Sequence, residues 1–145
     1  MKSEYKIPFP KDIKFKIAKP TGDYAHENYS EIRYAIDFVV PIDTPVLAIK
    51  GGRVISLKDD SNEWGIGSCF FDKVNFVVVD HKDNTYSEYL HLGKGKVKVK
   101  KGDEVKVGDL LGYTGLSGCM DGPHLHLNLL KRKNGKFISI PIKFQ

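Results

Sequence analysis

Near its C-terminus the chain reads Gly122-Pro123-His124-Leu125-His126-Leu127-Asn128-Leu129, and the alternation of leucine with polar residues constrains its fold more than any other stretch. Apolar residues at every second position specify an extended strand with one buried face. Side chains at i and i+2 of a strand share a face. Leu125, Leu127 and Leu129 therefore point into a core, and His124, His126 and Asn128 point the other way. Two imidazoles side by side on a rigid strand suit metal binding, or a division of labour between ligand and proton carrier. A His-x-His pair also occurs in ordinary packing, so its weight depends on what else the chain carries.

The remainder reads as further short strands. Tyr34 to Val40 is a strand halted at Pro41, and Val46 to Ile49 starts the next after the turn Ile42-Asp43-Thr44-Pro45. Arg53 to Leu57, Phe76 to Val79, Thr85 to Leu92, two short strands within 105–115, and a last strand over 136–142 follow. Phe76-Val77-Val78-Val79 reads as fully buried. Residues 58–73 form a long loop carrying Trp64, which either lines a groove or anchors the loop. No segment has a helical period. The fourteen glycines and seven prolines fall between the apolar runs, as turns between strands require. The expected class is all-β: an antiparallel β-sheet core of short strands in a sandwich or barrel-like stack. Residues 1–22 read as an irregular lead-in and 23–145 as a single domain.

No apolar run approaches the length of a membrane span, so no transmembrane segment is expected. Residues 1–20 are charged throughout, so no signal peptide is visible. The net charge of +5 favours anionic partners: nucleic acid, anionic lipid or an acidic cell-wall polymer. The densest basic stretch, Lys94 to Lys101, sets lysines 94, 96, 98 and 100 opposite Val97 and Val99. It reads as a solvated strand face. No aromatic residues interleave with those lysines, which argues against a nucleic-acid platform. A monomer is expected.

Three further residues share the logic of the His-x-His strand. In Tyr89-Leu90-His91-Leu92, alternation sets Tyr89 and His91 on one face and the leucines on the other. Asp37 stands in Ala35-Ile36-Asp37-Phe38-Val39, on the face opposite Ile36 and Phe38. A carboxylate in an apolar strand is costly unless paired, hydrogen-bonded or bound to a metal. One Asp and three His thus occupy the non-core faces of three apolar strands. Two histidines and a carboxylate on zinc leave a fourth position for water, and further histidines can move protons. That is the parts list of a metal-dependent hydrolase. The zinc deaminase signature and the helical His-Glu-x-x-His site are both absent.

These residues, together with Thr44-Pro45-Val46-Leu47-Ala48, Gly102-x-x-Val105-x-x-Gly108, Gly112-x-x-Gly115 and Gly122-Pro123-His124-Leu125-His126, resemble the lysostaphin-type, LytM-like M23 metallopeptidases over about residues 20–130. The resemblance implies a glycine-rich antiparallel sheet with a substrate groove, one Zn2+ ion, cleavage of peptides or cross-bridges in peptidoglycan, and an extracytoplasmic location. It makes Asp37 and His126 metal ligands and His91 and His124 the catalytic histidines that act on the attacking water and the tetrahedral intermediate. Many members place the first histidine ligand four residues before the Asp, where this chain has Arg33, which cannot bind metal. His26 is then the metal ligand expected, with Glu27 or Glu31 as oxygen alternatives. A degenerate module that binds or activates other wall hydrolases is the competing reading.

Four further points stay open in the sequence. His81 ends a strand before the turn Lys82-Asp83-Asn84 and reads as a surface or turn-bonding residue. Tyr24, Tyr29 and Tyr89 are candidate oxyanion donors. A lipoyl-type carrier lacks its modifiable lysine here. Cys69 and Cys119 form either a disulfide, in keeping with an extracytoplasmic setting, or two separate thiols.

Overall fold

The computed structural model describes residues 5–18 and 33–145. In chain order the strands are β1 (Lys16–Ala18), β2 (Ile36–Val39), β3 (Pro45–Leu47), β4 (Gly52–Lys58), β5 (Trp64–Gly65), β6 (Phe76–Asp80), β7 (Thr85–Leu90), β8 (Leu92–Val97), β9 (Glu104–Val105), β10 (Leu110–Thr114), β11 (Gly118–Cys119), β12 (Leu125–Lys133) and β13 (Lys136–Ile140). A single 3₁₀ segment, Ser68–Lys73, is the only helical element among the described residues. The eight-stranded sheet runs β1-β2-β12-β7-β6-β4-β9, with β13 also paired to β12. A smaller sheet runs β3-β10-β8, and β11 pairs with β5. The expected all-β class is what the chain adopts. No helix among the described residues is long and apolar enough to cross a membrane.

Strand alternation fills the core from the large sheet: Phe38, Val54, Val77, Val79, Tyr89, Leu125 and Leu127 are fully buried. Val46, Ala48, Ile49, Leu92 and Leu111, on or beside the smaller sheet, complete it. Phe76 and Val78 are only half-buried, in contrast to the fully buried strand expected over 76–79. That apolar run serves the core with one face only, and the other face is a cleft floor. The lead-in is more ordered than its composition suggested. Residues 16–18 form β1 on β2, and Phe9 enters the core. Phe9, Phe15 and Phe144 ring Phe38 at centroid separations of 5.3, 5.1 and 6.1 Å. Both chain ends thus close over the strand that carries Asp37.

Tyr89 and His91 do not share a face. Tyr89 points into the core, and His91 leaves the strand with φ of 72°. A left-handed histidine between β7 and β8 resets the period, so Tyr89 and Leu92 both point inward. Two neighbouring contacts hold this kink. The His91 and Leu92 amides both donate to the Asn75 carbonyl, and the Gly115 amide donates to the His91 carbonyl. A Cβ on Gly115 would collide with the Gly93 backbone, so the chain just past β10 approaches β8 this closely only because position 115 is glycine.

Asn75 is the hub beneath this kink. Its fully buried amide accepts from the Ser61 N–H at 3.1 Å and donates to the Ser61 and Leu92 carbonyls at 2.8 and 3.1 Å. Its own N–H donates to Ser117 Oγ, whose hydroxyl donates to the Leu92 carbonyl. One residue, through its side chain and its backbone N–H, therefore joins three other segments of the chain.

His81 is buried, not at the surface. Its Nδ1 lies 2.8 Å from the Gly51 carbonyl and so carries the proton. Its Nε2 then accepts from Ser87 Oγ at 3.0 Å. Ser87 Oγ is 2.9 Å from the Tyr89 hydroxyl, which accepts the Ile49 amide at 3.0 Å. Burial lowers the His81 pKa from the ordinary 6.5, and pushes the Tyr89 phenol up to about 12.

Two outcomes follow from these buried polar groups. Replacing Asn75 by Ala should cost roughly 2–4 kcal/mol in urea unfolding, because the buried N–H and carbonyl of Ser61 lose their partner. A loss near zero would mean that water replaces the amide. The second concerns pH. The unfolded chain takes a proton at His81 near 6.5, whereas the folded chain resists it. Stability is therefore complete above that value and declines as pH falls below it. The urea midpoint should drop between pH 7 and about 5, with a shallower slope in His81→Gln. Equal slopes would exclude His81 as a source of the decline.

Candidate active site

The site is built on the pairing of β2 with β12. Their register sets Asp37 directly opposite His126, and side chains so paired lie close enough to interact. Asp37 Oδ1 and His126 Nδ1 are 3.0 Å apart, with His126 7 % exposed and the Asp37 side chain 20 % exposed. On β12, Leu125, Leu127 and Leu129 are buried as the alternation requires. Asn128, next along the histidine face, donates from Nδ2 to Glu88 Oε1 at 2.9 Å and accepts from Ser139 Oγ at 2.8 Å.

His124 sits just before β12. Its Nδ1 is 2.9 Å from the Gly122 carbonyl, and its Nε2 lies 3.9 Å from Asp37 Oδ1. His91 arrives from the β7–β8 kink. Its ring centroid is 4.6 Å from that of His124 and 6.0 Å from that of His126. Its Nδ1 is 2.7 Å from the Ser117 carbonyl. A carbonyl can only accept, so both His91 and His124 carry their proton on Nδ1 and keep a lone pair on Nε2. Burial, reinforced by the neighbouring His124 and His126, holds the His91 pKa down to about 3. The same surroundings disfavour the charged form of the His91 ring.

Four of the five residues expected at the site are thus brought together: Asp37, His91, His124 and His126. The fifth, His26, lies outside the described residues, as do Glu27, Glu31, Tyr24 and Tyr29. Tyr89 is no oxyanion donor, because its ring fills the core and its hydroxyl is engaged by Ile49 and Ser87. Arg33 is exposed. Trp64 is 44 % exposed and pairs through its backbone with Gly118, close in sequence to the Ser117 carbonyl that holds His91. Cys69 and Cys119 are both free thiols, so the bridge weighed for them is not formed. Ser117, Gly122 and Asn75 support the site without any signature in the sequence. They act through backbone carbonyls and a buried amide, which leave no mark in a sequence.

The donor chemistry fits a metal. Two ligands on one tetrahedral zinc, each about 2.0–2.2 Å from it, stand roughly 3.2–3.5 Å apart. Asp37 Oδ1 and His126 Nδ1 need to part by only a few tenths of an ångström to reach that spacing. Among the described residues, no cluster of three or more His, Cys, Asp or Glu is arranged to hold an ion. The third protein ligand would come from outside them.

The sequence matches the model of peptidase family M23 over residues 31–139. It is 35 % identical over 96 residues to the peptidoglycan DD-endopeptidase ShyA of Vibrio cholerae, which covers 66 % of this chain and 20 % of ShyA. Among solved structures, a zinc-containing peptidase from Vibrio cholerae superposes with a TM-score of 0.68 at 25 % identity, covering 99 % of this chain and 41 % of that one. Lysostaphin from Staphylococcus simulans gives a TM-score of 0.61 at 25 % identity, covering 96 % of this chain and 52 % of that one. The chain spans less than a quarter of the length of the curated relatives it matches. The family match spans most of the chain and takes in Asp37, His91, His124 and His126; the chain belongs to peptidase family M23.

Proposed function

We propose that this chain is a zinc-dependent endopeptidase that hydrolyses peptide bonds of bacterial peptidoglycan outside the cytoplasm. The observation that carries the reading is the convergence of Asp37, His126, His124 and His91 on one face of the large sheet, with two of the rings fixed in one tautomer. The peptidoglycan endopeptidases among its relatives support the substrate class. The net charge of +5 suits an acidic wall polymer.

Asp37 Oδ1 and His126 Nδ1 would hold the zinc, with His26 as the third ligand. When bound, zinc polarises a substrate carbonyl and acidifies water. The chain's own residues handle the protons. His91 and His124 each offer an Nε2 lone pair whose direction is set by a backbone carbonyl behind the ring. One takes a proton from the attacking water and passes it to the leaving amine. The other, protonated at Nε2 from solvent, donates a hydrogen bond from that nitrogen to the substrate oxygen as charge builds there and keeps the proton when the carbonyl re-forms.

The direct test is metal content beside turnover. The purified chain should carry about one zinc ion, and His126→Ala and His26→Ala should each lose most of it. Full zinc and activity in His26→Ala would hand the third position to Glu27 or Glu31. The second pair of variants separates ligand from proton carrier. His91→Ala and His124→Ala should retain zinc while peptide release from purified wall falls roughly 10²–10⁴-fold. Zinc loss in His124→Ala would exchange its role with that of His126. A zinc-loaded chain that cuts no wall peptide would instead favour a binding or activating module.

A further inference from the structure

The face of the sheet that carries the histidines does not end at them. One strand repeat beyond His126, roughly 7 Å along β12, Asn128 stands opposite Glu88 of β7. One repeat further, Leu130 stands opposite Tyr86. A cavity of about 330 Å³ opens there, lined among the described residues by Ile55, Val78, Tyr86, Glu88, Leu130 and Phe137. Its position is built. The register of β4 on β6 slips between Val54 and Ser56, leaving Ile55 as an extra residue. Such a bulge re-aims a side chain, and Ile55 lines the cavity. Tyr86 and Phe137 meet edge to face at 5.2 Å and form its far corner.

Five of the six lining side chains are apolar or aromatic, and the sixth is a carboxylate. Asn128 holds Glu88 through Oε1, and no lysine or arginine among the described residues pairs with that carboxylate. Arg132 lies over the Phe137 ring at 5.6 Å, at the rim remote from His126. Its charge repels a cation there and leaves Glu88 as the end that attracts one. The chemistry that fits is an aliphatic stem against Ile55, Val78 and Leu130, ending in an ammonium at Glu88.

The geometry points to a specificity subsite in this cavity for a lysine-type side chain of the bound peptide, with Glu88 receiving its ammonium. An extended peptide advances about 3.3 Å per residue. A cavity roughly 7–13 Å along the strand from His126 thus receives a side chain two to four residues from the bond at the histidines. The inference rests on the peptidase reading for the presence of a peptide in the groove, and its test is separable from that reading.

The probes are acetylated, amidated pentapeptides, Gly-Gly-X-Gly-Gly, with X as lysine, Nε-acetyl-lysine or norleucine. Binding to zinc-loaded His124→Ala, which prevents turnover, is followed through the ring proton shifts of Tyr86 and Phe137. The lysine peptide should bind about tenfold more tightly than the acetyl-lysine peptide. Adding Glu88→Gln should abolish that preference and leave norleucine binding unchanged. Ile55→Ser should weaken the lysine and norleucine peptides alike. Equal binding of all three peptides, binding of none, or a preference that survives Glu88→Gln overturns the subsite, whether or not the wild-type chain cuts wall material. A lysine preference that depends on Glu88, in a chain that cuts no wall peptide, sustains the subsite and removes the peptidase reading.

Discussion

The site depends first on the register of two strands. Asp37 faces His126 because β2 and β12 pair at that residue. A slip of one residue would turn every side chain of β2 over and carry Asp37 into the core. Phe38 prevents the slip. It is fully buried beneath three phenylalanines drawn from both ends of the chain, so its inward direction is over-determined. The adjacent carboxylate has no choice but to face outward, toward the imidazole. Apolar packing on one side of a strand thus fixes the position of a charge on the other.

The second constraint is backbone chemistry. His91 and His124 are oriented by the carbonyls of Ser117 and Gly122, not by acidic side chains. Neutral acceptors set the tautomer without adding negative charge beside the rings. His91 accordingly remains a weak base, with burial dominating its proton affinity. Placing it there requires a left-handed histidine, a conformation that costs on the order of 1–2 kcal/mol. The hydrogen bonds of Asn75 and Gly115 to its backbone offset that cost.

Much of this was legible in the residues. The alternation at 124–129 identified the central strand and its inward leucines, and Asp37 drew notice as a charge in an apolar strand. The order of the N-terminal lead-in is hidden in the sequence because Lys and Pro mask the spacing of Phe9 and Phe15, whose value appears only when Phe38 is there to receive them. Tyr89 lies on the face opposite to the one alternation predicts because period two holds only for an unbroken strand, and nothing in Tyr89-Leu90-His91-Leu92 announces a left-handed residue. His81 looked exposed because it adjoins a turn. Its partners, Gly51 and Ser87, come from other strands. Local pattern reports which way a side chain points along one strand. It does not report what other segments bring to meet it.

Asn75 joins the segments at Ser61, Leu92 and Ser117 by hydrogen bonds that span 14, 17 and 42 residues. Each of these bonds closes a loop of chain, and closing a loop costs conformational entropy. They also open only when much of the structure opens. The Ser117 carbonyl in turn receives the His91 ring, and the Asn75 carbonyl receives the His91 and Leu92 amides. The His91 ring is thus held from behind by a residue that never touches it, so the chemistry of the face is anchored in an amide on the far side of the backbone.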